Sequence, residues 1–150
     1  MQLARQLAAK GNTVHAAARR PNDAKELQNL AKSADVHITA PLDVSSPTSI
    51  AAWAEALKKD GVKHVDLLIN NAGILEHTGL GGVDADEMMR LFQINAIGPL
   101  IVTQQLHKQG LLGRPGKSIV ANMTSKMGRY IKKREMKEFT YFALVLPFSS

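Results

Sequence analysis

The 150-residue chain carries 19 Lys and Arg against 13 Asp and Glu, a net charge of +6, with 45% hydrophobic side chains and no cysteine. That length suits one domain with a packed core, and the missing cysteines exclude a disulfide framework, a thiolate zinc site and a cysteine nucleophile. No apolar run approaches the roughly 20 residues of a membrane span, and MQLARQLAAKG is no signal peptide, so a soluble cytoplasmic protein without a membrane partner is expected.

In chain order, Leu3, Ala4, Leu7 and Ala8 recur at helical spacing and run into Lys10-Gly11, a helix stop. Val14–Ala18 reads as a short buried strand ended by Arg19-Arg20-Pro21. A helix follows over Ala24–Ser33, with Asn22 or Asp23 available as cap and Leu27, Leu30 and Ala31 as its apolar face. Val36–Thr39 is a second strand, leading into Pro41-Leu42-Asp43. Ser46 or Pro47 opens the next helix, which runs to Lys59 and buries Ile50, Trp53, Ala54 and Leu57. Gly61 closes it. Val65–Ile69 is a continuous apolar strand, a pattern that implies burial on both faces.

Asn70-Asn71-Ala72-Gly73 follows that strand, then a Gly-rich connection over residues 74–82. Asp84–Gln109 reads as one long helix through Met88, Leu91, Phe92, Asn95 and Ile101, bent at Gly98-Pro99 because proline removes a helix hydrogen bond. Gly113–Gly116 is a turn, and Ser118–Met123 a fourth strand entering Thr124-Ser125. Strands separated by helical crossovers predict an α/β fold with a doubly wound parallel sheet and helices on both faces. The five histidines (His15, His37, His64, His77, His107) fall on different elements without ligand spacing, so no metal site is expected. Arg129–Glu138 holds five basic and two acidic residues, half of the net charge, with a single aromatic residue, Tyr130, rather than a stacking platform, so no nucleic-acid partner is expected.

In such a sheet, ligands bind outside the carboxyl ends of the strands. The notable residues lie at those ends: Arg19 and Arg20 after the first strand, Asp43 after the second, Asn71-Ala72-Gly73 after the third and Ser125 after the fourth. With Asn70-Asn71-Ala72-Gly73 after VDLLI, Leu42-Asp43-Val44, Asn95 in QINAIGPL and Ser125 in SIVANMTSKMG, residues 1–128 resemble the short-chain dehydrogenase/reductase family, most closely its small carbonyl reductases.

The resemblance implies a Rossmann-type domain over residues 1–128 and hydride transfer between a nicotinamide cofactor and a ketone or aldehyde. It assigns Asp43 to the adenine amino group, Val44 beside it to cofactor binding, Asn71, Ala72 and Gly73 to the cofactor's flat face, Ser125 to the substrate carbonyl and Asn95 to a proton relay. Arg19 and Arg20 stand where an NAD-preferring member has an acidic residue, and guanidinium groups there suit a 2′-phosphate, so NADP(H) is the expected cofactor. Read without the resemblance, Asp43 also fits a turn or capping aspartate, Asn95 a satisfied core amide, and the two arginines a solvated strand end.

Two departures qualify the transfer. The family opens with a strand and a Gly-rich loop that brings the pyrophosphate to a helix N-terminus, and this sequence begins on the helix instead. Without that central strand, Val14–Ala18 and Val65–Ile69 are expected to face a gap. The family's Tyr-x-x-x-Lys is also missing: Tyr130 is followed by Arg134 at the lysine position, and Tyr141 by Val145. Residues 129–150 read as a divergent basic and apolar tail, as in a truncated or frame-shifted reading of a longer gene, and Thr140–Leu146 as a β-prone segment that could fill the gap. Two functional expectations follow. One is a reductase-family chain with little or no turnover; the other is a non-catalytic partner of a full-length relative, pairing through helix 84–109.

Overall fold

The computed structural model describes residues 2–75, 80–113 and 118–124. Ser125, His77, Tyr130, Tyr141 and the whole segment 129–150 lie outside the described residues, as does most of the Gly113–Gly116 turn. Two compact units carry the elements, residues 1–63 and residues 64–150.

In the first unit, helix α1 (Gln2–Ala9) leads to strand β1 (Val14–Ala16), helix α2 (Lys25–Ser33), strand β2 (Val36–Ile38) and helix α3 (Pro47–Lys59). β1 and β2 pair in parallel, Val14 opposite Val36, His15 opposite His37 and Ala16 opposite Ile38. Because strand side chains alternate faces, Val14, Ala16, Val36 and Ile38 share one face. That face packs with Leu27 and Leu30 of α2 and with Ala4 and Ala8 of α1, forming a small apolar core. Burying each leucine there contributes about 1.5–3 kcal/mol.

The start of α2 differs from expectation. Pro21–Asp23 forms a 3-10 turn, so Asn22 and Asp23 are not caps; Ala24 holds the N-cap position and makes no side-chain cap bond. Gln28 Nε2 instead reaches back to the carbonyls of Pro21 and Asn22 at 3.2 and 2.8 Å, tying the 3-10 turn onto the helix. The start of α3 is as its sequence implies. The Ser46 hydroxyl caps it, accepting from the Ser49 N–H at 3.2 Å, and Pro47 occupies the first turn, where no N–H is needed. Lys58 and Lys59 occupy its last turn, and Gly61 takes φ +89°, a left-handed conformation that suits glycine as the helix ends. Ile50, Trp53, Ala54 and Leu57 are all buried, as expected. Trp53 Nε1 donates at 2.9 Å to the Thr39 hydroxyl, which in turn donates to the Ala40 carbonyl, so neither polar group is buried unpaired.

In the second unit, strand β3 (Leu67–Asn70) precedes helices α4 (Ala85–Phe92) and α5 (Gly98–Lys108), and strand β4 (Ile119–Asn122) follows them. β3 and β4 pair in parallel from Leu67 opposite Ile119 to Asn70 opposite Asn122. Among the described residues each strand has one partner: the strands form two two-stranded sheets, and none pairs β1 with β3. This is the partial parallel sheet the sequence implies. Burial on both faces of β3 does not hold, because Leu67 and Ile119 share a face and are 41% and 65% exposed, while Leu68 is buried.

The long helix is interrupted, though not by a simple proline bend. Asp84 caps α4 through a 2.9 Å bond from the Glu87 N–H. Between α4 and α5, Gln93–Ile97 forms a π-helical turn directly before Gly98-Pro99. A π turn inserts one residue into the helical count and so resets the phase of every later side chain. Leu91 is buried whereas Phe92 is 47% exposed; Ile94 within the turn continues as a buried row with Gly98, Val102 and Leu106 beyond it. At the far end the Leu111 N–H donates to Leu106, and the Leu111 carbonyl accepts from Val65, which fastens the helix terminus to the lead-in of β3.

Candidate functional site

Two sets of expected site residues take shape, one in each unit. In the first, Arg19 and Arg20 follow β1 and are exposed, while Asp43 and Val44 follow β2 and are half-buried. The parallel pairing of β1 with β2 puts the carboxyl ends of both strands at the same edge, which explains why residues 24 apart in sequence act on one another. Arg19 is near enough to Asp43 to favour its charge.

Three serines fix Asp43. The Ser45 hydroxyl donates to Asp43 Oδ1 at 2.6 Å, and the Ser45 N–H donates to the same oxygen at 2.9 Å. The Asp43 N–H donates to the Ser49 hydroxyl at 3.0 Å, and its carbonyl accepts from the Ser46 N–H at 3.1 Å. The carboxyl pKa is held below its ordinary value. The Ser45 hydroxyl is the main cause, followed by the Ser45 N–H; slight burial opposes them and the Arg19 guanidinium adds to the lowering. An ionised carboxylate only accepts hydrogen bonds, so this group selects a donor. Asp43 is thus a turn aspartate before a helix, and it stands at a strand end with its ionised form favoured.

In the second unit, Asn71, Ala72 and Gly73 leave β3 as an exposed segment. Asn95 lies in the middle of the π turn, and its amide grips the backbone just beyond that segment. Asn95 Oδ1 accepts from the Ile74 N–H at 2.9 Å, and Asn95 Nδ2 donates to the Ile74 carbonyl at 2.9 Å. This two-point clamp supplies the partners an amide in an apolar helix requires. It also explains a glycine, because a Cβ on Gly73 would stand 3.3 Å from Asn95 Oδ1. Asn70 Nδ2 donates to Asn122 Oδ1 at 2.9 Å, bridging the carboxyl ends of β3 and β4. Thr124 follows β4 and is exposed, and Ser125 lies outside the described residues.

Sequence reasoning missed three features. Ser45 as the holder of Asp43 had a local signal, since Asp-x-Ser before a capped helix is an Asx-turn pattern. Ile74 as the partner of Asn95 had none, because the two are joined only in the fold. The histidines are not all scattered: His15 and His37 stack with centroids 5.2 Å apart, a consequence of strand register. His37 Nε2–H donates to Asp35 Oδ1 at 2.9 Å and the Thr13 hydroxyl to Asp35 Oδ2 at 2.7 Å. Among the described residues no group of three or more His, Cys, Asp or Glu could hold a metal ion, and no helix is long and apolar enough to cross a membrane.

Residues 1–137 match the family model described as short chain dehydrogenase, so the match continues past Gly128, where the sequence motifs end. The chain is 33% identical over 129 residues to mouse (Mus musculus) 17-beta-hydroxysteroid dehydrogenase type 6, covering 85% of this chain and 39% of that protein. It is 30% identical over 129 residues to the NADPH-dependent pterin aldehyde reductase of Arabidopsis thaliana, covering 85% and 52% of the two chains. In structure it is similar to an NADPH-bound carbonyl reductase from chicken fatty liver, with a TM-score of 0.68 at 30% identity over 78% of this chain and 48% of that one. It spans less than half of the mouse protein and about half of the plant one.

Proposed function

The chain belongs to the short-chain dehydrogenase family, and from that premise we propose that it serves NADP(H)-linked reduction of a ketone or aldehyde. The observation that carries the reading is Asp43, held ionised chiefly by Ser45, with a smaller contribution from the Arg19 charge. An acceptor for an adenine amino group next to a cation for a 2′-phosphate fits the adenosine end of NADP(H). In this proposal Arg19, Arg20, Asp43 and Val44 bind that end. Asn71, Ala72 and Gly73 offer exposed backbone to the cofactor's flat part, and residues 1–128 act as an incomplete dinucleotide-binding domain. When bound, the cofactor supplies hydride from nicotinamide C4.

Asn95 holds the Ile74 backbone and so keeps the Ala72-Gly73 segment in place, with support of a proton relay as its further role. Ser125 orients the substrate carbonyl by donating its hydroxyl hydrogen. These 150 residues hold no Tyr-x-x-x-Lys, so proton donation to the carbonyl oxygen lacks its usual acid. The expectation is a chain that binds NADPH and shows little or no turnover of small aldehydes and ketones. The cysteine-free composition is in keeping with a place in the cytoplasm. The test is Arg19→Ala: NADPH affinity falls about tenfold or more while NADH affinity is unchanged. An equal change for both cofactors would remove the 2′-phosphate assignment.

A specific surface favours a second role, pairing with another chain of the family. Met89, Phe92 and Leu100 are 66%, 47% and 54% exposed along helix 84–109 and form an apolar stripe. The proposed partner is a full-length relative or a second copy. Leu100→Lys would abolish co-purification with such a relative, and retained pairing would dismiss this surface.

A further inference from the structure

Asp43 presents its two carboxylate oxygens unequally. Both bonds recorded to that carboxylate, from the Ser45 hydroxyl at 2.6 Å and the Ser45 N–H at 2.9 Å, end on Oδ1. The backbone on either side is pinned as well, by Ser49 and Ser46 at 3.0 and 3.1 Å. The residue is only half-buried, so Oδ2 is the oxygen left to meet a ligand. A free aspartate in a loop would rotate about its terminal torsion and offer either oxygen over a broad range of angles. Here the hydroxyl and the N–H of one residue, two positions away, restrict that freedom together, the hydroxyl by the shorter bond.

Resting on the adenosine reading above, we propose that Ser45 is a positioning residue that makes Asp43 a reader of the nucleotide base. It holds the carboxylate so that Oδ2 accepts from the 6-amino group of adenine. A base with a 6-oxo group sets acceptor against acceptor there and is rejected. Ser45 itself touches no part of the nucleotide; it acts through Asp43. The Ser45 N–H keeps its bond when the hydroxyl is removed, so Ser45→Ala retains the turn before α3 while loosening the carboxylate.

The test is calorimetric titration of the 150-residue chain with NADPH and with its hypoxanthine counterpart, in wild type, Ser45→Ala and Ser45→Thr. Wild type binds NADPH more tightly than the hypoxanthine dinucleotide. Ser45→Ala weakens NADPH about fivefold, as the loosened carboxylate spends less time facing the base, and leaves the hypoxanthine compound unchanged, so discrimination collapses. Ser45→Thr, which keeps the hydroxyl, restores it. Equal losses for both dinucleotides in Ser45→Ala would show a structural role only and overturn the proposal, as would unchanged discrimination. If wild type binds neither dinucleotide, the cofactor reading falls and takes this inference with it, an outcome distinct from wild-type binding that Ser45→Ala leaves untouched.

Discussion

Asn95 holds Ile74 by both its N–H and its carbonyl, so the cost of losing that amide is set by what it leaves behind. In Asn95→Ala two partly buried backbone groups lose their partner, and urea denaturation should show a loss of about 1–3 kcal/mol. Gly73→Ala places a methyl 3.3 Å from the same amide oxygen. The amide cannot yield without giving up a bond, so the substitution should destabilise by roughly 1 kcal/mol alone and by nearly nothing in an Asn95→Ala background. A double-mutant cycle without coupling would break this link. The need for a partner at Asn95 was legible in the sequence, as a polar side chain in an apolar row; the partner was not, because 21 residues separate the two and only the fold joins them. Asp43 is the opposite case, since its holder lies two residues away in a readable pattern.

Local signals carried the helices further than the strands. Ser46, Pro47, Lys58, Lys59 and Gly61 mark both ends of α3, and the structure follows them. Removing its main anchor is correspondingly costly: Trp53→Ala should lower stability by about 3–5 kcal/mol, and Trp53→Phe by about 1 kcal/mol through the lost Nε1 bond to Thr39. Thermal unfolding of the two variants checks the order. A larger loss for phenylalanine than for alanine would contradict it. The long helix was legible in extent but its π turn was not, because Leu91, Ile94, Gly98, Val102 and Leu106 keep ordinary three- and four-residue steps across it. Strand register was equally hidden. Nothing in the sequence sets His15 opposite His37, and parallel pairing alone brings them together.

That pair bears on the behaviour of the whole chain with pH. Burial, together with the neighbouring His37, lowers the pKa of His15, against the weaker pull of Asp35 and Asp60. The folded state thus resists protonation that the unfolded chain accepts, so its contribution is present above the ordinary value of 6.5 and is lost as pH falls below it. Stability should decline from pH 7 to pH 5, and His15→Gln should flatten that decline; an unaltered slope would exclude the pair as its source. Asp35 and Asp43, both with lowered pKa, add losses only below about 3.8, as their carboxylates protonate.

At the same scale, the α/β class and the parallel order of the strands were readable, while the two separate sheets appear only with the pairing. The reading proposed for this chain stands or falls with an NADP-type adenosine site at the strand ends of the first unit. Calorimetry of the 150-residue chain with NADPH and NADH tests it most directly. Binding on the order of micromolar is expected for NADPH, and markedly weaker binding for NADH. A chain shown to be folded by circular dichroism that binds neither, or binds both equally, would contradict it.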